Sequence, residues 1–469
     1  MPGTPLKIAF VTLGCKLNYA ETSTYERGFV AAGLKPVGWR DGADVFLVNT
    51  CTVTETANRK CRSEIRKLHR LNPAAPIFVT GCYAELKADE VAAIEGVARV
   101  FRASEKAAVV PETLAALGIS GGAPGAPGSP EGSSPAADKG FWERSASGDS
   151  LSGSKSSGLP AAERFLSLSK DRSSIFGAYS SGERTRSFLK VQDGCDNFCR
   201  YCTVPYARGR SRNIPICEAV RMAREIAASG IREIVLTGVN TGDFGRTTGE
   251  SFLDLLKALN GVEGIDRYRI SSIEPNLLTP EIINWIASGT KFQPHFHIPL
   301  QTGCDELLAA MGRHYTTAEF AAKIDYVRCV LETPRPGEPA PLPVFFGIDV
   351  MVGLPGETPE LFEKTYRFLE QLRPAFLHVF PYSKRPGTPA AVMPGQVPPE
   401  VKTERAARLE ALCEELHSEF VQRCKGMSAT VLWESREKDG TMGGYTGNYI
   451  RITRPFDPAR VNTLETIII

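Results

Sequence analysis

No stretch of this sequence approaches eighteen consecutive apolar residues, so no membrane-spanning helix is expected. Charge of one sign is also missing: 55 Lys and Arg stand against 53 Asp and Glu, a formal net charge of +2. That balance excludes a global electrostatic pull toward nucleic acid and leaves only local patches to meet a polyanion. The apolar part of the N-terminal MPGTPLKIAFVTLGC is too short for a signal peptide and reads as a buried strand. A cytoplasmic location without membrane attachment is the expectation. With 469 residues and 42% hydrophobic content, the chain is expected to fold into two to four globular domains.

Cysteine, by contrast, is abundant. Twelve cysteines in a reducing compartment argue for metal or redox chemistry over a disulfide framework. Six of them, Cys61, Cys217, Cys304, Cys329, Cys413 and Cys424, stand in no ligand-like spacing and read as small buried hydrophobes. The other six fall into two sets of three.

Three apolar, β-branched runs in the first region each end in a cysteine: KIAFVTLGC at Cys15, ADVFLVNTC at Cys51 and APIFVTGC at Cys82. Helical stretches such as AETSTYERGFVAAG and ETANRKCRSEIRKLHR lie between them. Strand–helix–strand alternation implies a parallel sheet whose sites form at the carboxyl ends of its strands. Three cysteines far apart in sequence are therefore expected on one edge.

From Ile119 to Gly182 the composition turns to Gly, Ser, Pro and Ala, as in GGAPGAPGSPEGSSPAADKG and SASGDSLSGSKSSGLPAA. So little apolar area cannot offset ordering entropy, and residues 119–182 read as a mostly disordered linker. Phe141, Trp142, Phe165 and Phe176 are its candidate docking points. Six further strands follow: FLKVQDGC, REIVLTGVN, RYRISSIEP, HFHIPLQTG, FFGIDVMVGLP and AFLHVFPYS. Several helical segments separate them, so a partial or complete parallel barrel is expected over 183–419, with its site on the loops after the strands. Beyond the long helix VKTERAARLEALCEELHSEFVQRCK, the segment 420–469 alternates apolar and polar residues around Gly turns and reads as a small all-β domain. The fold class is thus α/β, an N-terminal α/β domain over 1–118 followed by a barrel, with an all-β end.

Within GCDNFCRYC, Cys195, Cys199 and Cys202 supply three thiolates directly after a strand. Structural zinc wants four ligands, and no fourth Cys or His lies nearby. A cubane iron–sulfur cluster held by three thiolates leaves one iron open for a substrate. This CxxxCxxC spacing, with Tyr201 before the last cysteine, resembles the radical S-adenosylmethionine signature. The resemblance implies a 4Fe–4S cluster that chelates S-adenosylmethionine and cleaves it reductively. It also implies cofactor contacts at Tyr201, at Gly238 in LTGVN, and at Ser272 and Glu274 in SSIEP. Glu274 reads equally well as a carboxylate satisfying backbone at the barrel mouth.

An N-terminal three-cysteine α/β domain, such a barrel and a β tail together resemble the methylthiotransferases, over nearly the whole chain except the linker. The resemblance implies a second 4Fe–4S cluster on Cys15, Cys51 and Cys82, an RNA-binding TRAM-like tail, and dependence on an electron donor and a sulfur donor. The linker is longer than the family's usual connection. VNTCTVT, KVQDGCDNFCRYC, VPYARGRSR, HFHIPLQTGCD and HVFPYSKRPGTPAA resemble the branch that modifies N6-threonylcarbamoyladenosine in the anticodon loop of tRNA. Isopentenyladenosine in tRNA and a ribosomal-protein aspartate are the alternative substrates within the family. A non-enzymatic RNA-binding protein with structural metal is the more distant reading, and it requires four-ligand zinc sites.

Local signals for RNA are mixed. Arg208, Arg210 and Arg212 fall just beyond the cysteine loop, where a polyanion would approach. Arg59, Lys60, Arg62, Arg66, Lys67 and Arg70 form a helix that is either a phosphate ridge or simply solvated. Tyr445, Tyr449, Arg451 and Arg454 offer an aromatic–basic mix suited to single-stranded RNA, as ordinary β surfaces also do. His295 and His297 share one strand face and are expected to line the barrel, at least one of them structurally. VGLPGE lacks the GK[ST] ending of a phosphate loop and reads as a tight turn. Nothing in the sequence requires more than a monomer.

Overall fold

The structure is a computed structural model that describes residues 5–119, 175–182, 185–334, 336–337 and 339–469. Most of the expected linker, with Phe141, Trp142 and Phe165, lies outside the described residues.

Five parallel strands open the fold: β1 (Lys7–Thr12), β2 (Lys35–Pro36), β3 (Val45–Thr50), β4 (Ile77–Gly81) and β5 (Val97–Val100). Their order is β2-β1-β3-β4-β5. All six residues of β3 are buried, as expected of a central parallel strand covered on both faces. The order reverses between β1 and β3, and in such sheets ligands bind at the carboxyl edge of that reversal. Helix α1 (Lys16–Ala31) leaves β1, and α2 (Glu55–Leu71) follows β3. Thr54 caps α2 by accepting from the Ala57 amide, and Cys61, Ile65 and Leu68 face the sheet.

The chain resumes at Ile175, earlier than the linker boundary expected at 182. Phe176 stacks on Tyr25 of α1 with ring centroids 5.2 Å apart. Then β6 (Ala178–Tyr179) pairs antiparallel with β7 (Arg186–Lys190). A short ribbon of β8 (Gln192–Asp193) and β9 (Arg212–Asn213) brackets the GCDNFCRYC loop. Parallel strands β10 (Glu233–Thr237) and β11 (Arg267–Ile270) extend β7, while β12 (His295–Gln301), β13 (Phe345–Val352) and β14 (Phe376–Pro381) form a second parallel set. The Tyr268–Phe292 bridge joins the sets, and the Ile273 amide donates to the His297 carbonyl at 3.1 Å. The result is a six-stranded partial barrel. Its open side by β6 and β7 is met by α1, where Ser23 and Thr24 hydrogen-bond the backbone of Ser181 and Tyr179.

Helix Pro399–Cys424 runs uninterrupted past residue 419, so the final β segment starts only at Ser428. Strands β15 (Ser428–Arg436), β16 (Thr441–Thr446), β17 (Arg451–Pro455) and β18 (Leu464–Ile468) form an antiparallel sheet ordered β17-β16-β15-β18. Its β16–β17 turn seats against the first residues of the barrel strands. Arg269 donates to the carbonyls of Thr446 (2.8 Å) and Gly447 (2.7 Å) while pairing with Glu233 at 2.8 Å. Arg186 pairs with Glu434 at 2.8 Å and donates to the Tyr449 hydroxyl at 3.2 Å.

Two sequence readings are corrected here. Tyr445 and Tyr449 stack on each other, and Tyr449 lies 4.4 Å from the His295 ring, so both are spent on the seat instead of facing RNA. Arg451 and Arg454 are paired with Glu437 and Glu465. Cys217 and Cys329 are exposed, not buried, because both sit on outward helix positions. Among the described residues, no helix is long and apolar enough to cross a membrane.

Replacing Arg269 by Met removes three hydrogen-bonded partners and leaves Glu233 with Arg267 alone, at 3.8 Å. Loss of about 3 kcal/mol of stability is expected from breaking this buried pair. Amide exchange should rise first in β15–β18 while β1–β5 stay protected.

Candidate functional site

The two cysteine sets occupy the carboxyl ends of the two sheets. Cys15 stands at the N-cap of α1, Cys51 follows β3, and Cys82 opens the helix Cys82–Leu86 after β4. Asn18 ties the first two together by donating to the carbonyls of Leu13 (2.9 Å) and Thr50 (3.0 Å). Thr50 in turn donates to the Thr80 carbonyl at 2.6 Å and accepts from the Ala84 amide, which fixes the Cys82 turn. Gly14 has φ +118°, and a Cβ there would lie 2.8 Å from that of Cys51, so only glycine lets the first two loops meet. Cys15 lies at the N-terminal end of a sixteen-residue helix.

The second set lies on the loop after β8. Gly194 (φ +75°) allows the turn; a Cβ there would fall 2.0 Å from the Arg210 carbonyl. The Asn197 and Val204 amides point at the sulfurs of Cys195 (3.5 Å) and Cys202 (3.4 Å). Arg313 donates to the Cys199 sulfur at 3.1 Å. Burial pushes the Cys195 thiol up to about 12, with Cys199 adding repulsion, and burial raises Cys202 as well. Cys82 is likewise pushed up to about 11 by burial, against the pull of Arg208. Thiols so placed are poor free nucleophiles, and metal ligation deprotonates them.

Amide and guanidinium donors aimed at the sulfurs of Cys195, Cys199 and Cys202 suit the anionic cluster that three thiolates can hold.

A cavity of about 400 Å³ opens between the two regions. Gly14, Cys15 and Lys16 line one side; Gly238, Ser272 and His297 line the other. Gly238 is packed against Gln192, whose side-chain oxygen accepts from the Val239 and Asn240 amides at 2.9 and 3.0 Å. The Ser272 carbonyl accepts from Thr241. Deeper in the barrel His297 bonds Asp349 at 2.6 Å beside His378, and burial pushes the His378 pKa down to about 4, leaving a neutral imidazole.

Glu274 accepts from Arg313, the same guanidinium that reaches Cys199. Tyr201 packs beside Met311, Leu354 and Tyr382, next to the cysteine loop.

Arg208 requires a correction. The short helix Val204–Arg208 folds it inward, where it is 3% exposed and bonds Asn18 (2.5 Å), Asp193 (3.0 Å) and Glu21 (3.3 Å). It is closed to phosphate. Lys106 and Lys190 complete the group, each 2.7 Å from Glu21. Burial alone would raise the pKa of Glu21 and Asp193, yet these three cations hold both carboxyls well below the usual range. Arg212 is half-buried and donates to the Arg208 carbonyl at 2.8 Å, and Arg210 is half-buried too. Sequence reasoning missed Asn18, Glu21, Lys106, Lys190 and Arg313; of these only Lys190, a charge closing an apolar strand, carried a local signal.

Comparison with known proteins agrees with this architecture. Residues 189–369 match the Radical SAM superfamily, and residues 7–102 match "Uncharacterized protein family UPF0004". A radical S-adenosylmethionine methyltransferase of Kitasatospora setae, TsrM, shares the fold, with a TM-score of 0.52 at 16% identity over 93% of this chain and 78% of that one. The barrel and its cysteine loop therefore define a radical S-adenosylmethionine enzyme, a class that uses a 4Fe–4S cluster. The threonylcarbamoyladenosine tRNA methylthiotransferase MtaB of Bacillus subtilis is 36% identical over 95% of this chain and 89% of its own length. Its Aquifex aeolicus counterpart is 32% identical over 96% and 97%. A tRNA-2-methylthio-N(6)-dimethylallyladenosine synthase of Wolbachia pipientis is 30% identical over 91% and 87%. The chain belongs to the radical S-adenosylmethionine methylthiotransferase family.

Replacing Arg208 by Met should cost about 3–5 kcal/mol in urea unfolding, because two buried carboxylates lose a partner. A phosphate-contacting arginine would leave the unfolding midpoint unchanged.

Proposed function

We propose that this enzyme methylthiolates C2 of N6-threonylcarbamoyladenosine at position 37 of tRNA. The observation that carries the reading is the cavity lined by Cys15 on one side and by Gly238 and Ser272 on the other. Cys15 of the first set opens onto it directly, and Gly238 adjoins Gln192, whose amide donates to the Gly194 carbonyl at the start of the second cysteine loop. The MtaB relatives from Bacillus subtilis and Aquifex aeolicus support the substrate.

In this reading Cys195, Cys199 and Cys202 hold the radical cluster, and Cys15, Cys51 and Cys82 hold a second 4Fe–4S cluster. Bound there, the first supplies reductive cleavage of S-adenosylmethionine and removal of the C2 hydrogen, and the second supplies the sulfur that is methylated and transferred. The chain's own residues prepare this. Arg313 and the Asn197 and Val204 amides donate to the sulfurs of the radical set. Gly238, whose missing side chain makes room for Gln192 and Thr241, is assigned a backbone contact to S-adenosylmethionine, with Ser272 and Tyr201 as further contacts and Glu274 acting through Arg313.

For tRNA the structure offers a ridge on α2, directly after Cys51. Arg59, Arg66 and Arg70 are exposed along it and border a shallow groove with Arg62. We assign phosphate contact to this ridge, with Arg210, Arg212 and the C-terminal sheet, taken as TRAM-like, as supporting surfaces. An anticodon-loop adenosine is already unpaired, so drawing it into the cavity costs less than flipping a duplex base. The enzyme is taken to act in the cytoplasm as a monomer, with separate electron and sulfur donors.

Mass spectrometry of tRNA nucleosides from cells with and without the gene tests the substrate. Loss of 2-methylthio-N6-threonylcarbamoyladenosine, with the unthiolated nucleoside accumulating, is expected; loss of the 2-methylthio-dimethylallyl nucleoside would move the enzyme to the other branch. In purified protein, Cys51→Ala should lose one cluster's iron and form no product while still cleaving S-adenosylmethionine. Product from that variant would overturn the assignment of the second cluster.

A further inference from the structure

The cavity between the two cysteine sets carries a charge that the reaction itself does not use. Lys16, the residue after Cys15, lines it and is exposed to it. Its ammonium has no hydrogen bond or ion pair among the described residues. The carboxylate that attracts it is Asp349, which His297 already occupies at 2.6 Å. Burial first and then Arg186 push the Lys16 pKa down, with Arg269 adding to it and Asp349 opposing; Arg186 and Arg269 are themselves committed to Glu434 and Glu233. The wall facing Lys16 includes Ser272, a hydroxyl that can both donate and accept, and His297. The chamber thus sets one cation, with Ser272 and His297, within a mainly apolar lining that includes Leu17, Tyr19 and Phe188, around a space large enough for a nucleoside substituent.

An unpaired cation in a confined space selects by charge. An alkyl group inserted there would strip water from the ammonium and return nothing, whereas a carboxylate would replace that water with a charge-assisted hydrogen bond. We propose that Lys16 binds the carboxylate of the amino-acid substituent on the substrate adenosine, and so selects the threonylcarbamoyl nucleoside over an alkyl-substituted one. Asp349 holds His297 in place as the polar partner deeper in the pocket. This rests on the substrate reading above and adds the residue that enforces it. The same chemistry, an α-amino-acid carboxylate, is also carried by S-adenosylmethionine, so the test separates the two sources.

The test uses reconstituted holoenzyme with Lys16→Met and the charge-preserving Lys16→Arg. Two anticodon stem-loop RNAs serve as probes, one carrying threonylcarbamoyladenosine and one dimethylallyladenosine at the target position. S-adenosylmethionine affinity and iron content are measured alongside. In Lys16→Met, affinity for the threonylcarbamoyl RNA should fall roughly tenfold to a hundredfold, as for loss of a hydrogen bond to a charged group. Affinity for the dimethylallyl RNA and for S-adenosylmethionine should not fall, iron content should stay at wild type, and Lys16→Arg should keep most of the preference. An equal loss on both RNAs, an unchanged preference, or a loss of iron accounting for the whole effect would overturn the inference. Weakened S-adenosylmethionine binding with the RNA preference intact would assign Lys16 to the cofactor and overturn it equally. A wild-type preference for the dimethylallyl RNA would overturn the substrate reading itself, and with it the inference. A wild-type preference for the threonylcarbamoyl RNA that survives in Lys16→Met would overturn the inference alone.

Discussion

Five charges buried between the N-terminal sheet and the barrel hold the site in register. Glu21 comes from α1, Lys106 from the turn after β5, Lys190 from the end of β7, Asp193 from β8, and Arg208 from the far side of the cysteine loop. Burying so many ions adds little net stability, because each gives up several kcal/mol of hydration. What the group does is penalise every other placement. Sliding either unit against the other would leave a buried charge without its partner, at about 3–5 kcal/mol. Three cations face two carboxylates, and through Arg208 the surplus positive charge partly opposes the burial that pushes the Cys82 thiol up. Registry and thiolate stabilisation therefore share one set of atoms.

With register fixed, the carboxyl ends of the two sheets face a common space. A doubly wound sheet and a parallel barrel both place ligands at that end, so joining them there merges two separate sites into one chamber. Asn18 shows how closely the halves are tied. It braces the Cys15 and Cys51 loops with its amide nitrogen and accepts from Arg208 with its oxygen.

The architecture was largely legible in the sequence. Every strand that was read before the C-terminal tail was found, because parallel strands buried on both faces leave continuous β-branched runs. The first cysteine set was legible for the same reason, since a cysteine at the end of such a run has its position dictated by topology, whereas the second was legible from its CxxxCxxC spacing. Side-chain direction was not legible. Arg208 lies in a basic run at the expected mouth, yet its burial depends on Glu21, 187 positions away. Tyr445 and Tyr449 alternate as any surface pair would, and only the barrel floor reveals which face is docked. Glu274 was identified as important, but its partner, Arg313, is a single arginine in an ordinary turn. Lys16 was hidden by its neighbour, since the eye goes to Cys15.

The seat of the C-terminal sheet on the barrel floor has a consequence for traffic. With Tyr449 stacked on His295 and Arg269 bound to the β16–β17 turn, that end of the barrel is stoppered. Among the described residues the chamber's opposite side is the Cys15 rim, and whatever sits deepest against the covered floor must arrive first and depart last. Turnover is then a queue, in which a finished nucleoside blocks the way until the RNA carrying it is withdrawn.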